Sequence, residues 1–435
     1  SFDICFSSNH LFTLIKFNYK YNSIMKYFLL LIVAYFLPLS SYSETDDLNL
    51  GKQELKKEFG KGEFKVAIKY LESAVAKEPN NSEAHYFLGY AYDRSNSEDG
   101  FSMDLTKLEL AIKSSYEFET VVKLTPKYTG ELLMLDPYSK ITSIWGSQAF
   151  AYLNSNKIDS AKWALSEGKK RGGFRDFLLE FNKQILSNCS QNSYIISSGD
   201  NLTFPILYLQ LINGFRTDVN LINISLLNTL WYPRYLYNNK IIDLNIPISK
   251  LDLIEIRNWK DTTITINLDK SVKSFTNKFK WIVKPNINNE YLLRSGLIFL
   301  NFLQTNKFKR DIFFTTSFNP IDQLNLNNHL ERFFLIDKIS LSKITQNANN
   351  LIKGINGFDL NKLDSKSIIN STDELLLIDI LRYDYCETIR RLLIDKNTVL
   401  AKDVYNKLIN FLPENLYPYN SPELKEYIKN LYLNQ

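Results

Sequence analysis

A chain of 435 residues, 45% apolar and 23% charged, has the length for two or three domains and the balance of an ordinary globular protein. Its net charge of +5, with no basic run, does not predict a nucleic-acid surface. Three Cys without a C-x-x-C pair, and three His of which no two share a helical turn, exclude a structural zinc site.

Residues 25–43 read MKYFLLLIVAYFLPLSSYS. Met25 and Lys26 form a short basic start, Tyr27 to Leu37 an apolar run, and Pro38 ends it. Ser41-Tyr42-Ser43 then supplies a small-x-small cleavage site before Glu44. This is the secretory pattern, and the run falls well short of the ~20 apolar residues of a membrane-spanning helix. The expectation is a signal peptide over 25–43, a mature chain from near Glu44 without a membrane span, and a periplasmic or secreted location. Residues 1–24 contain no Met and are expected to be upstream translated sequence rather than native protein. Beyond the leader's Cys5 there remain Cys189 and Cys386. A disulfide between them is open in an oxidising compartment, and two separate buried thiols are the simpler expectation.

From Glu54 onward the apolar residues follow a helical period. Ala67, Leu71 and Ala74 lie on one helix, Glu78-Pro79-Asn80-Asn81-Ser82 marks a turn, and Leu88-Gly89 and Tyr92 lie on the next helix. The pattern is interrupted over Arg94–Met103 and resumes through Ala111, Phe118 and Thr125-Pro126. A third unit reads Trp145, Ala149, Tyr152, Ala161 and Leu165. Small residues fall where two helices cross closely, and Pro falls where a helix must stop. Over about 48–175 this spacing resembles the tetratricopeptide repeat family. The resemblance implies a stack of antiparallel helix pairs over 44–188, with a concave groove for a protein or peptide partner.

The period changes after Phe177–Leu186. Tyr194–Ser197 reads as a strand, Ser198-Gly199-Asp200-Asn201 as a loop, Pro205 to Asn213 as a helix, and Asp218–Asn223 as a second strand. Such a unit makes a parallel pair. Leu292–Leu303 as helix and Ile312–Thr315 as strand repeat the theme, while Leu253–Ile256 and Thr262–Leu268 read as a hairpin or edge strands. A small α/β domain with a partly parallel sheet is expected over 189–345. In such a sheet ligands bind beyond the carboxyl ends of the strands, which is where Asp200 and Asn201 fall. The plainer reading of that loop is a turn and a helix cap. The stretch SGDNLTFPILYLQ, followed by GFRTDVNLINISLLNTLWY, resembles the soluble C-terminal region of bacterial protein O-mannosyltransferase-like membrane proteins, with weaker echoes at 306–314 and 330–331 over a span of about 193–430. That family's transferase chemistry is expected in a multi-spanning half which these residues do not contain.

Gln346–Asn370 is rich in Asn, Lys and Gly and reads mostly as a loop. Helices resume from Glu374, and Ala401, Leu408 and Pro413 have repeat-like spacing in a linker-plus-helical segment over 346–435. The chain is therefore expected to be α plus α/β. No GxSxG, HExxH, P-loop or GxGxxG motif appears, so neither catalytic residue, metal nor cofactor is expected. The leading function is an exported interaction or scaffold protein of the cell envelope. The alternative is a carbohydrate-binding or glycan-processing accessory protein, with Asp200, Asn201, Arg216 and Asn228 as candidate ligand-binding residues.

Overall fold

The first half of the chain places small residues where helices cross. The computed structural model describes residues 46–433 except 58–60, 273, 275, 317–321, 342–343 and 345–347. The expected upstream segment 1–24 and signal peptide 25–43 lie outside the described residues. Seven helices follow one another: α1 (Asp47–Lys56), α2 (Phe64–Lys77), α3 (Ser82–Ser97), α4 (Leu108–Leu124), α5 (Pro137–Asn154), α6 (Ile158–Lys170) and α7 (Asp176–Asn188). Each of α1 to α6 packs on its sequence neighbour. Ala67 on α2 and Ala161 on α6 are fully buried. A Cβ on Gly89 of α3 would sit 2.7 Å from the Phe118 ring of α4, so the α3–α4 crossing depends on the missing side chain. Asn81 starts α3 by accepting from the backbone N–H groups of Glu83 and Ala84, and Asp136 starts α5 by accepting from that of Ser139.

Alternation then gives way to short apolar runs. The strands β1 (Tyr194–Ser197) and β2 (Asn220–Asn223) are joined by helix α8 (Phe204–Leu211), with Pro205 in its first turn, as the sequence predicts. Helix α9 (Trp231–Asn238) follows, then β3 (Thr262–Asn267), β4 (Lys278–Val283), α10 (Arg294–Asn306), β5 (Ile312–Thr315), β6 (Leu330–Phe333) and β7 (Ile336–Ile339). The main sheet has the order β2-β1-β5-β7-β6. Strand β1 pairs in parallel on both sides, Ile195 lying opposite Leu221 and Phe313, and β7 pairs antiparallel with both its neighbours. Helix α10 lies on this sheet through Phe302 against Tyr194 and Phe299 against Phe314, at 4.8 and 5.8 Å between ring centres. All four residues of β1 are buried, as parallel strands covered on both faces require. The fold is thus mixed helix and sheet.

Two expectations are corrected. Thr262–Asn267 does form a strand, but its partner is β4 and not Leu253–Ile256, which forms no strand. In β4 the residues Phe279, Trp281 and Val283 alternate inward, a period-two signal that holds the hairpin on the core. Residues 346–370 are not mostly loop. Helix α11 (Asn349–Gly357) buries Leu351 and Ile355, one turn apart, and its Gly354 lets the backbone close on Phe334. After a short helical turn at Ser365–Ile368 come the long helices α12 (Thr372–Ile394), α13 (Thr398–Phe411) and α14 (Pro422–Leu433).

The described residues from Asp47 onward pack as one compact unit. Gly146 of α5 meets Phe204 of α8, Gln184 of α7 donates to the Gly357 carbonyl at 2.9 Å, and Arg175 faces Glu374 of α12 at 3.4 Å. Cys189 and Cys386 are both buried and free, and burial pushes each thiol up to about 12.

Candidate functional site

Strand β1 hands the chain through α8 to β2 on one side, while β5 lies on its other side. The loops leaving β1 and β5 therefore diverge, and a crevice opens beyond their carboxyl ends. A cleft of about 700 Å³ lies there. Its floor is the segment Ser198–Leu202 after β1 and Thr316 after β5. One wall is the stripe Leu376, Ile380 and Tyr383 of α12, spaced four and three residues apart so that they share a helix face. Leu424 of α14 and Leu135, just before α5, complete the apolar lining. Leu376 and Tyr383 are each 50% exposed, whereas Leu375, Ile378, Leu381 and Tyr385 of the same helix are buried in the core. Helix α12 thus carries two apolar faces, of which the fold covers one.

Gly199 has φ +79, a conformation that lets the chain turn sharply out of β1. Asp200 follows, half-buried and among the residues lining the cleft. With Gly199 and Leu135 it also lines a smaller cavity of about 160 Å³. Inside that cavity Lys140 of α5 pairs with Asp93 of α3 at 2.5 Å, both buried. Burial raises the Asp200 carboxyl above the usual carboxylate range, held back by a hydrogen bond from Ser143 and by the charge of Lys140. Burial alone would lower the Lys140 ammonium, but Asp93 outweighs it and the net direction is upward. Asn201 donates from Nδ2 to the Ser139 hydroxyl at 2.9 Å, and its carbonyl accepts from Asn182. Its Oδ1 is buried and without a hydrogen-bond partner among the described residues, and so is Oγ1 of Thr316, which is 2% exposed. The expected start of α8 is occupied by Thr203, whose hydroxyl donates to the Gly199 carbonyl, accepts from Asn223 and meets Ser197, each at 2.8 Å.

The other two candidates lie elsewhere. Arg216 grips Asp218 at 2.8 and 2.9 Å and donates to the carbonyls of Leu186, Cys189 and Ser190, which ties the end of α7 to the turn before β2. These bonds hold the Asp218 carboxyl well below its usual range. Asn228 accepts from the Ser295 N–H in the first turn of α10 and donates to the Ser225 carbonyl. Neither residue lines the cleft that Asp200 and Asn201 share.

Two further features border the cleft. The N-termini of α5 and α12 meet through reciprocal caps. The Asp136 carboxylate accepts from the Ser371 hydroxyl and from the Asp373 N–H, and Asp373 accepts from the Asp136 N–H. Burial and the neighbouring Asp136 charge push Asp373 up to about 7, and burial pushes Glu374 up to about 8 against the pull of Arg175. Alongside, residues 128–135 run over the aromatic face of α3. Tyr86 donates to the Leu135 carbonyl and accepts from the Leu133 N–H, Tyr90 accepts from the Leu135 N–H, and the Tyr128 ring stacks on Tyr86 at 4.9 Å. Glu131 of this segment pairs with Lys52 and Lys56 of α1.

Sequence reasoning finds Asp200 and Asn201 but misses Thr316, the α12 stripe and the Asp93–Lys140 pair. The stripe has a local signal, since Leu376, Ile380 and Tyr383 form a second apolar row on a helix that already has one. Among the described residues no group of three or more His, Cys, Asp or Glu is arranged to hold a metal ion, and no helix is long and apolar enough to cross a membrane. No curated protein and no solved structure matches the chain. Residues 178–252, which span all but the first two residues of α7, then β1, the Asp200 turn, α8, β2 and α9, match the family described as TMEM260-associated domain 2, TMEM260 being an O-mannosyltransferase-like protein.

Proposed function

We propose that this chain is an exported interaction protein of the cell envelope that holds an extended, apolar segment of a partner protein in the cleft beyond β1 and β5. The observation that carries the reading is the cleft's apolar wall: Leu376 and Tyr383, half exposed, stand beside Ile380 over a volume of about 700 Å³. A pocket of about 300–1,000 Å³ with an apolar lining and few polar groups is the usual form of a specific binding site. The tetratricopeptide-type reading of 48–175 supports the same class of function, because such helix stacks serve as scaffolds for partner segments. Since the aromatic face of α3 is covered by the chain's own residues 128–135, the reading assigns the partner to the neighbouring cleft. Export rests on the leader pattern at 25–43.

The second reading is a glycan-binding or glycan-processing accessory protein. It is favoured by the match over 178–252, because that stretch contains Asp200 and Asn201, which present polar groups to the cleft. Leu376, Ile380 and Leu424 weigh for the peptide, since a sugar face calls for aromatic platforms and the wall offers one aromatic ring, Tyr383, among aliphatic side chains. Presenting the full chain to a peptide library and a glycan array separates the two. Peptides whose binding is lost in Leu376→Asp support the first reading. Glycans whose binding is lost in Asp200→Asn and kept in Leu376→Asp would replace it with the second.

A further inference from the structure

One face of the helix stack is built like a binding site and is filled by the chain itself. Connections between packed antiparallel helices usually take about 2–8 residues. Residues 78–81 join α2 to α3, and residues 155–157 join α5 to α6. Residues 125–136, between α4 and α5, are more than such a turn needs, and they form neither helix nor strand. They run back over α3 and reach α1.

The side chains that grip residues 128–135 belong to α1 and α3. The Tyr128 ring lies nearly parallel to that of Tyr86, at 17°. Tyr86 donates to the Leu135 carbonyl at 2.8 Å and accepts from the Leu133 N–H at 3.0 Å, and Tyr90 accepts from the Leu135 N–H at 2.8 Å. Glu131 sits between Lys52 and Lys56 at 2.9 and 2.5 Å, and their hydrogen bonds hold its carboxyl below the usual range. Among the described residues, 128–135 make no backbone-to-backbone hydrogen bond, and Thr129, Gly130, Glu131, Leu132 and Met134 are exposed. The receiving face is held from behind. Tyr86 and Tyr90 each stand edge-on to Phe118 of α4 at 5.6 Å, while Lys52 is fixed by Glu83 at 2.6 Å and lies over the Phe87 ring at 4.8 Å. A segment with no main-chain ladder of its own, lying on a face braced by other residues, can leave by local opening.

We propose that this face of α1 and α3 is a second binding site, separate from the cleft, for a non-helical partner segment carrying an aromatic ring and, three residues on, a carboxylate, and that residues 128–135 occupy it in cis until such a segment displaces them. The tyrosine hydroxyls read main-chain atoms, which any sequence supplies, so the ring and the carboxylate set the choice of partner. A basic residue in place of the carboxylate would face the two ammonium groups of Lys52 and Lys56 and is selected against. Tethering at both ends gives 128–135 an effective concentration on the order of millimolar, so a free segment competes with it and binds the intact chain weakly.

The test titrates a labelled peptide with the sequence of residues 126–135, PKYTGELLML, against two forms of the full chain by fluorescence anisotropy. One form is the wild type. In the released form an equal number of Gly and Ser residues replaces Tyr128–Leu133, which keeps the length of the connection and leaves Leu135 at the cleft. The peptide should bind the released form about tenfold or more tighter than the wild type. Glu131→Lys in the peptide, or Lys52→Glu in the released form, should remove that gain. Circular dichroism checks folding. If the replacement unfolds the chain, Glu131→Lys in the full chain, which sets a third ammonium beside Lys52 and Lys56, serves as the released form. In the wild type, the Leu133 and Leu135 amides should exchange faster than those of α3. Equal affinity for both forms, no binding by a folded released form, a gain that survives Glu131→Lys in the peptide, or Leu133 and Leu135 amides as slow as those of α3 overturns the proposal. Each of these outcomes leaves the cleft reading standing, because its own test turns on Leu376.

Discussion

The junction between the helix stack and the sheet turns on a single missing side chain. Replacing Gly146 with Ala in α5 has two opposed effects. Alanine is the better helix former by about 0.8–1.0 kcal/mol, which by itself predicts stabilisation. The new Cβ, however, would lie 2.1, 2.3 and 2.6 Å from three ring carbons of Phe204. That is more than about 1 Å inside ordinary carbon–carbon contact. The Phe204 ring cannot yield cheaply, because it is 1% exposed and packs edge-on against Phe150 at 5.8 Å. Overpacking a rigid site costs about 1–3 kcal/mol and more where the neighbour cannot move. The steric effect wins, and Gly146→Ala should lower stability by about 1–2 kcal/mol, read as a shift of the denaturation midpoint at constant slope. In a Phe204→Ala background, which removes all three of those carbons, the same substitution should be neutral or mildly stabilising. A Gly146→Ala that stabilises the wild type, or effects that add without coupling in the double mutant, would refute the packing of α5 on α8.

The Asp373 carboxyl rises from an ordinary 3.8 to about 7 in the folded state, so its contribution is present below the unfolded value and is lost as pH rises through about 7. Asp373 should make the folded chain more stable near about pH 5 than about pH 8 by on the order of 2–4 kcal/mol, and Asp373→Asn should remove that share of the dependence in denaturant melts while leaving the share of Glu374, raised to about 8. Tyr90→Phe leaves the Leu135 N–H without its acceptor. It should cost about 1–3 kcal/mol and raise amide exchange over residues 128–135, and unchanged exchange there would mean that the hydroxyl does not hold the segment. With Cys189 and Cys386 buried and free, a thermal melt should be unaffected by reductant and both thiols should react only after unfolding. A reductant-dependent melt would contradict the pairing state.

Much of the core architecture is local and therefore legible. Four buried residues at β1, Pro205 in the first turn of α8 and the apolar run of β2 each announce themselves within a few residues, and Ala67 and Ala161 mark helix crossings by size alone. The antiparallel half of the sheet is harder to read. Strand β4 hides its inward row among lysines, and α11 hides two core residues among Asn and Gly, relying on Phe334 from a different strand-bearing segment to define its buried face. At the site, turn chemistry locates Asp200 and Asn201. Arg216 and Asn228 look equally polar in the sequence, but their partners, three carbonyls at the end of α7 and the first turn of α10, are set by tertiary contacts. Thr316 and Leu376 join the cleft from more than a hundred residues beyond Asp200, a convergence that no window of sequence contains.

The central claim is that the cleft beneath α12 receives a partner segment. It is tested most directly by placing a photocrosslinking benzoylphenylalanine at Tyr383, inside the cleft, and at Ile158, an exposed apolar position outside it, in the full chain within producing cells. The account predicts a discrete protein adduct from position 383, with the crosslinked fragment identified as one peptide segment by mass spectrometry, and none of that adduct from position 158. An adduct that is a glycan, equal yields of the same adduct from both positions, or no adduct from position 383 would contradict it.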